Sequence, residues 1–273
     1  MIGDRALVAD CANCVGLCCV ALAFVRAEDF AFSKDGGEEC RNLAEDYRCT
    51  IHPVLRSSGM KGCTVFDCHG AGQRVTQNVF AAQTWRGSAD LGDAMFSVFR
   101  VVRALHDMLW YLRAGAFAAP ESIVGPIQSM YERVNALGDL PGDQILALDL
   151  DELRNAVNPL LRGVSESVRG MARRDATIPL PGAVRSGADL IGVSLAGHNL
   201  RGADLRGAIL IGADLGNTDL RDSDLISADL RDANLGGADL STALFVTQMQ
   251  LNAASGDGNT LLPRDTLRPQ HWT

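Results

Sequence analysis

Residues 203–222 read ADLRG AILIG ADLGN TDLRD, and the five-residue beat of this stretch decides the fold. It extends in both directions to twelve consecutive units between Ala188 and Thr247, each with a large apolar residue at its centre. The centres run from Leu190 through Leu195 and Leu200 to Leu240, one every fifth position, and close with Phe245. Two positions before each centre sits a smaller side chain, most often alanine, as at Ala188, Ala203, Ala208 and Ala213. Asp or Asn stands between them in nine of the twelve units, so the pattern is not merely hydrophobic. A period of five matches neither a helix nor a flat strand. On a helix, leucines five apart spiral around the axis and bury no single face. In extended backbone, residues two apart point to the same side, and a chain that keeps that side inward must turn a corner every five residues. Four units then close one square coil, and twelve make three coils, a stub about 15 Å tall at roughly 4.8 Å per coil. Glycine at the last position of many units, including Gly192, Gly197, Gly202, Gly207, Gly212 and Gly237, suits sharp corners.

This pattern resembles the pentapeptide-repeat family, whose A(D/N)LXX signature is met by ADLRG at 203–207 and ADLRD at 228–232. The resemblance implies a right-handed quadrilateral β-helix. In a square coil, residues twenty apart stack. Ile191 then lies over Ile211 on the outside, with Ile209 beside them and Ile226 on the neighbouring face, and Arg201 lies over Arg221 near Asp219 and Asp239. Exposed isoleucines are costly unless covered, so the helical segment or a partner is expected on that corner. His198 and Thr218 fall at inward positions of one column, where a widened coil with a satisfied imidazole is expected. The repeat holds nine Asp and four Arg, five of the chain's eight net negative charges. Family members from quinolone-resistance systems mimic DNA and bind DNA gyrase, which makes a DNA-mimic modulator of a type II topoisomerase one alternative. Three coils are short for that task, and the aspartates are expected to cap corners rather than project a field.

All eight cysteines fall in one block: Cys11, Cys14, Cys18, Cys19, Cys40, Cys49, Cys63 and Cys68. Such density means a disulfide framework or metal ligation. Disulfides need an oxidising compartment and hence export. The N-terminus carries Asp4, Arg5 and Asp10 and no long apolar core, Asp10 stands where a lipoprotein site needs a small residue, and Val15–Val25 is too short to span a bilayer. A cytoplasmic protein is expected, which favours metal. A Cys-x-x-Cys pair chelates one soft cation, Zn²⁺ or iron in a cluster. Eight thiolates suit two Zn²⁺ ions, or one iron–sulfur cluster with spare cysteines. The adjacent pair Cys18–Cys19 is expected to serve different metals, or to place one sulfur in the core. The block resembles the zinc- or iron-chelating family named for its CxxCxxCC motif, and CRNL at 40–43 and RCTIHP at 48–53 share in that resemblance. Metal binding by all eight cysteines is implied, and no catalytic activity. One departure is that three residues, not two, separate Cys14 from Cys18. His52 and His69 are reserve ligands, more simply read as surface or packing histidines, and GAG at 70–72 reads as a loop.

Residues 89–175 read as helices. Met95, Phe99, Val102, Leu105, Leu109 and Leu112 recur at three- and four-residue steps. A second helix starts at Pro120 or Pro126 and ends at Gly138, and a third starts near Asp149, with Pro159 expected to kink or divide it. Asp149, Asp151 and Glu152 are read as caps and dipole partners. Residues 173–183 are a linker, 248–254 a cap for the open coil end, and Trp272 is expected to fold back over apolar surface. The expected fold class is multi-domain α+β. A Cys-rich metal-binding module (1–80) and a helical segment (89–175) precede the β-helix (186–247) and a C-terminal cap and tail (248–273).

A chain of 273 residues and 47% hydrophobic content can bury a sizeable core, and a net charge of −8 argues against general nucleic-acid binding. The sequence carries no nucleophile elbow, phosphate loop or paired acid–base motif, and no catalytic residue is assigned. The expectation is a non-enzymatic metalloprotein, binding zinc or iron, whose β-helix presents a surface to a protein partner. A homodimer is one form of that partnership; direct nucleic-acid and membrane contacts are not expected. The alternative is an iron–sulfur redox protein or enzyme with the β-helix as scaffold.

Overall fold

The computed structural model describes residues 7–27, 29–174 and 179–272. The reading of Met1–Ala6 as free of a leader, and the linker stretch Asp175–Ile178, lie outside the described residues. Parallel bridges join residues twenty apart, Asp189 to Ile209, Ser194 to Asp214, Asn199 to Asp219 and Asp204 to Asp224, and the series continues to Leu244. Twenty residues per turn and four bridge positions per turn make the coil four-sided, as the repeat predicts. Backbone hydrogen bonds follow the same register: Leu190 N donates to the Ile209 carbonyl (2.9 Å), and Ile209 N to the Ala188 carbonyl (2.8 Å). The leucines fill the interior, with Leu200, Leu205, Leu210, Leu215 and Leu220 fully buried beside Ala203, Ala213 and Ala233.

Each corner is built from two devices. The last residue of each glycine-ended unit is left-handed, with φ between 62° and 69° at Gly192, Gly197, Gly202, Gly207, Gly212 and Gly237. Where glycine is missing, Asn217, Asp222, Ser227 and Asp232 adopt the same turn at φ 55° to 58°, and Asn and Asp tolerate it best among non-glycine residues. The Asp or Asn of each unit then accepts the N–H two positions on, as Asp189 does from Ile191 (3.2 Å) and Asp214 from Gly216 (3.1 Å). Arginines at that second position return to the same carboxylate, Arg221 to Asp219 at 2.6 Å and Arg231 to Asp229 at 2.6 Å. The aspartates therefore cap corners and pair locally, as expected.

Two expectations for this region are corrected. His198 is exposed, its Nδ1 3.2 Å from the Ala196 carbonyl. Val193, inward-facing in the same first coil, is 37% exposed. Slots that fit Ala213 and Thr218 one coil later do not enclose an imidazole in the first coil. The outer isoleucine corner is not covered by the helical segment at Ile191 (56% exposed) and Ile209 (37%), whereas Ile211 and Ile226 are half-buried.

The chain divides into two compact units, Met1–Arg113 with Gly125–Pro159, and Ala114–Val124 with Leu160–Thr273. Its helices are α1 (Leu17–Ala21), α2 (Lys61–Val65), α3 (Ala71–Arg74, continuing as a wider turn through Val79), α4 (Ala89–Ala118), α5 (Glu121–Leu137), α6 (Gly142–Leu146), α7 (Leu150–Arg174) and α8 (Gln248–Ala253). Pro126 and Pro159 sit inside α5 and α7, and the boundary between units falls at Pro159. Asp149 caps α7 through the N–H groups of Asp151 (2.9 Å) and Glu152 (3.0 Å).

Within the second unit, the later half of α7 lies on the coil face carrying Asp204 and Asp224. Arg169 pairs with Asp204 at 3.3 Å and Arg173 donates to the Arg201 carbonyl at 3.3 Å. A Cβ on Gly202 would come within 3.1 Å of Ala172 Cβ, so the glycine admits the helix. This stretch of α7 presents arginines, and its charge selects the acidic face over the isoleucine corner. Helix α8 closes the far end through a Thr247–Gln250 capping box. Ser255 and Leu261 then bridge onto Asn234 and Asp239, and Trp272 folds back into the core with Nε1 donating to the Ala254 carbonyl (3.0 Å). In the first unit, Leu17, Val20 and Ala21 of α1, Ala71 and Val75 of the α3 stretch, and Met95, Phe99 and Val102 of α4 form one core. The cysteine block packs against that core, with Cys14, Cys18 and Cys68 at its edge.

Candidate metal centre

All eight cysteines are free thiols, and local chain chemistry gathers them along two lines. The first line runs beside α3. Asp10 N donates to Gln73 Oε1 (3.0 Å) and Gln73 Nε2 to the Val8 carbonyl (2.8 Å). Further along, Gln77 Nε2 donates to the Asn13 carbonyl (3.0 Å) and Val15 N to Thr76 Oγ1 (3.3 Å). These bonds lace the segment bearing Cys11 and Cys14 onto the helical stretch that follows Cys68. A Cβ on Gly72 would lie 2.7 Å from Cys14 Sγ and 3.9 Å from Cys68 Sγ. Gly72 thus leaves the space both sulfurs use. The loop expected at 70–72 is corrected here: Ala71 and Gly72 open α3, and a side chain at Gly72 would push Cys14 away.

The second line starts from α1. Gly16, left-handed at φ 68°, begins the helix at a point where a Cβ would strike Leu43 Cδ1 at 2.9 Å. Cys40 N donates to the Cys19 carbonyl (3.1 Å), and an antiparallel bridge pairs Leu43 with Cys49. Cys63 lies in α2, held by its N–H to the Met60 carbonyl (3.1 Å). Cys18 and Cys19 sit on successive positions of α1, about 100° apart around its axis, with their sulfurs 3.9 Å from each other.

Electrostatics follow the same division. Burial pushes the Cys63 thiol up to about 11, and Cys19, Cys40 and Cys49 raise it further. Burial likewise raises Cys14 to about 11, and there Cys68 and Cys11 add to it. Cys18 is held well above the ordinary range by its hydrogen bond to Cys19 and by burial, while that bond lowers Cys19. Either sulfur of this 3.9 Å pair could donate, and one proton shared between them favours a single thiolate. Cys11 is raised by burial, then by the neighbouring charges of Cys68 and Cys19.

Lys34 is the residue the sequence pattern did not single out. It is 4% exposed, and its ammonium donates to the carbonyls of Val20 (3.1 Å), Asp35 (2.8 Å) and Glu38 (2.8 Å). Its charge adds to the lowering of Cys19 by Cys18, and partly offsets the burial that raises Cys40. The chain has only two lysines, Lys34 and Lys61, both inside the cysteine block, and that scarcity was the available signal. His69 is 1% exposed and stacks on Trp110 at 4.9 Å, and its carbonyl accepts from His106 Nδ1, so it is a packing residue. His52 is exposed in a short turn, away from any role the structure assigns.

Among the described residues, no three His, Cys, Asp or Glu side chains stand at common ligand distance. The donor chemistry nonetheless fits a soft metal. There are eight thiols without a disulfide and a backbone cradle at Gly72 that a Cβ would fill.

The comparisons with known proteins bear on the whole chain. A family model described as pentapeptide repeats matches residues 186–222 and 208–245, in eight copies. The uncharacterized protein YybG of Bacillus subtilis strain 168 is 52% identical over 267 residues, covering 97% of this chain and 95% of YybG. The chain belongs to the YybG family. The YybG match spans the cysteine block, the helices and the repeat together. Among solved structures, the chain is similar to the pentapeptide repeat protein Rfr23 from the cyanobacterium Cyanothece 51142, at 35% identity over 28% of this chain, with a TM-score of 0.26. It is also similar to a pentapeptide repeat protein of the Arabidopsis thaliana thylakoid lumen, at 28% identity over 37% of this chain, with a TM-score of 0.25. The matches span 52% and 63% of those two proteins. Among the described residues, no helix is long and apolar enough to cross a membrane.

Proposed function

We propose that this YybG-family chain is a non-enzymatic metal-binding protein. Its cysteine block holds zinc or iron through thiolates, and its pentapeptide-repeat β-helix offers a surface to a protein partner. The observation that carries the reading is eight free thiols in one compact unit, with Cys14 and Cys68 both beside Gly72 and the Cys18 and Cys19 sulfurs 3.9 Å apart. Unpaired cysteines at this density suit a reducing compartment, and a cytoplasmic location follows from the same reading. Thiolates chelate zinc at four-coordinate sites and iron in clusters. Bound metal would add to the stability that the cysteine-rich region draws from its packing on α4. For the β-helix, the support is the exposed apolar corner of Ile191, Val193 and Ile209. Against the DNA-mimic alternative stands the local use of carboxylates, since Asp204, Asp219 and Asp229 each pair with the arginine two positions on.

The test is metal and acid-labile sulfide content, with a visible spectrum, on full-length protein purified without oxygen. Two zinc ions per chain and no colour is the expected result. Iron with matching sulfide and a brown, reducible absorbance moves the reading to an iron–sulfur redox protein. Absence of any bound metal overturns both.

A further inference from the structure

We infer that Cys18 and Cys19 form a two-thiol clamp for a soft trivalent centre with two open positions, of the class of monosubstituted trivalent arsenicals. The inference goes beyond the metal-binding reading, because two sulfurs suffice for it and neither zinc nor iron enters.

Three observations carry it. Neighbouring side chains on a helix point in different directions, yet these two sulfurs stand 3.9 Å apart, close enough for one large atom to bond both. The helix that holds them is tied down. Leu17, Val20 and Ala21 bury the inner side of α1, and each carbonyl from Cys19 to Ala21 accepts from a partner outside the helix. Cys40 N donates to Cys19 (3.1 Å), Gly37 N (2.8 Å) and Lys34 Nζ (3.1 Å) to Val20, and Arg100 Nη2 to Ala21 (3.2 Å). Both cysteines are only half-buried, which leaves them open to a small reagent.

The same geometry opposes the other fate of a close thiol pair. A disulfide spans Cα atoms about 4.4–6.8 Å apart, whereas consecutive Cα atoms stand about 3.8 Å apart across a trans peptide. Joining the two sulfurs directly therefore requires α1 to distort against its buried side and its bound carbonyls. A bridging atom lengthens the link and lets the helix keep its form. In the proposed step an arsenic(III) oxide, R–As=O, meets the two thiols. Both S–H bonds and the arsenic–oxygen bond break, two As–S bonds form, and the oxygen leaves as water with both protons. Arsenic stays trivalent, so the step consumes no oxidant or reductant.

The experiment is titration of the full, reduced chain with phenylarsine oxide in the presence of a metal chelator, read by intact mass and by a count of free thiols. The first equivalent should add the mass of the reagent less one water and remove two thiols from the count. Cys18→Ser and Cys19→Ser should each abolish this adduct, whereas Cys14→Ser and Cys68→Ser, which remove the pair beside Gly72, should leave it intact. A dithiol such as 2,3-dimercaptopropanol should reverse it where a monothiol does not. Incubation with oxidised glutathione should leave Cys18 and Cys19 unlinked to each other on peptide mapping. No adduct, an adduct that consumes one thiol per arsenic, or one that survives both Cys18→Ser and Cys19→Ser overturns the clamp, as does a Cys18–Cys19 disulfide. The thiol count is read on the unsubstituted chain and so decides even where a serine variant fails to fold. Failure of the clamp leaves the metal-binding reading standing, since metal content is measured without arsenical.

Discussion

At the scale of single residues, the β-helix shows how a carboxylate's worth depends on its neighbours. Asp219 and Asp229 are held below the usual range by the arginines two positions on, and their contribution is present at neutral pH and lost as pH falls through their lowered values. Asp224 is the opposite case. It is 1% exposed, and burial pushes its carboxyl up against the lowering effects of Ser165, the Ile226 N–H and Arg206. Oδ2 makes no hydrogen bond, and Arg206 Nε stands 3.8 Å from it. A raised carboxyl contributes stability below its unfolded value of 3.8 and loses it as pH rises through the folded value. Asp224→Asn keeps an acceptor for the Ile226 N–H and removes the buried charge. It should raise stability at pH 7, where the buried carboxyl is charged, with the gain falling away as pH drops and the carboxyl is protonated in both states. Chemical denaturation at several pH values checks this, and a loss of stability at pH 7 would show that the ionised carboxylate is well paired. None of this was legible in the sequence, where Asp224 occupies the same place in its unit as Asp219. The difference arises from the helix that covers one face.

At the scale of elements, the repeat was readable because its information is local. Large and small residues two apart set the inward face, and a left-handed residue every five positions sets the corner. The coil count, the twenty-residue register and the corner-capping aspartates all follow from those rules. What escaped were the contacts that depend on distant chain. The isoleucine corner drew the expectation of a covering helix or a partner, and α7 instead brings Arg169 and Arg173 to the acidic face. His198 failed for a related reason, since its column holds only small residues in the coils that enclose it. The same logic gives a quantitative expectation for the core. Leu215 is completely buried in the middle coil, and Leu215→Ala should cost about 2–5 kcal/mol. Thermal or denaturant unfolding measures it. A cost below about 1 kcal/mol would mean that the coil closes around the gap and that the leucine stack is not the main support.

At the scale of the whole molecule, the chain joins a solenoid with its own leucine core to a cysteine-rich region for which we propose metal-dependent order. The cysteines announced that chemistry by number and spacing. Which sulfurs meet was not legible, because loops from residues 10–19, 34–49 and 61–68 converge only in the fold. Gly72 stood in a stretch read as a loop and Lys34 was marked only by the scarcity of lysine, so the roles of both became visible through contacts. The β-helix, by contrast, closes its own core with leucines and caps its own end with α8 and Trp272. The central claim is therefore that metal orders the cysteine block and that the solenoid stands without it. Amide hydrogen exchange, read by mass spectrometry on the full reduced chain before and after chelation, tests this most directly. The account predicts that segments within residues 7–80 lose protection when metal is removed, while residues 188–245 keep theirs. Unchanged protection throughout the cysteine block after the metal has gone would contradict it.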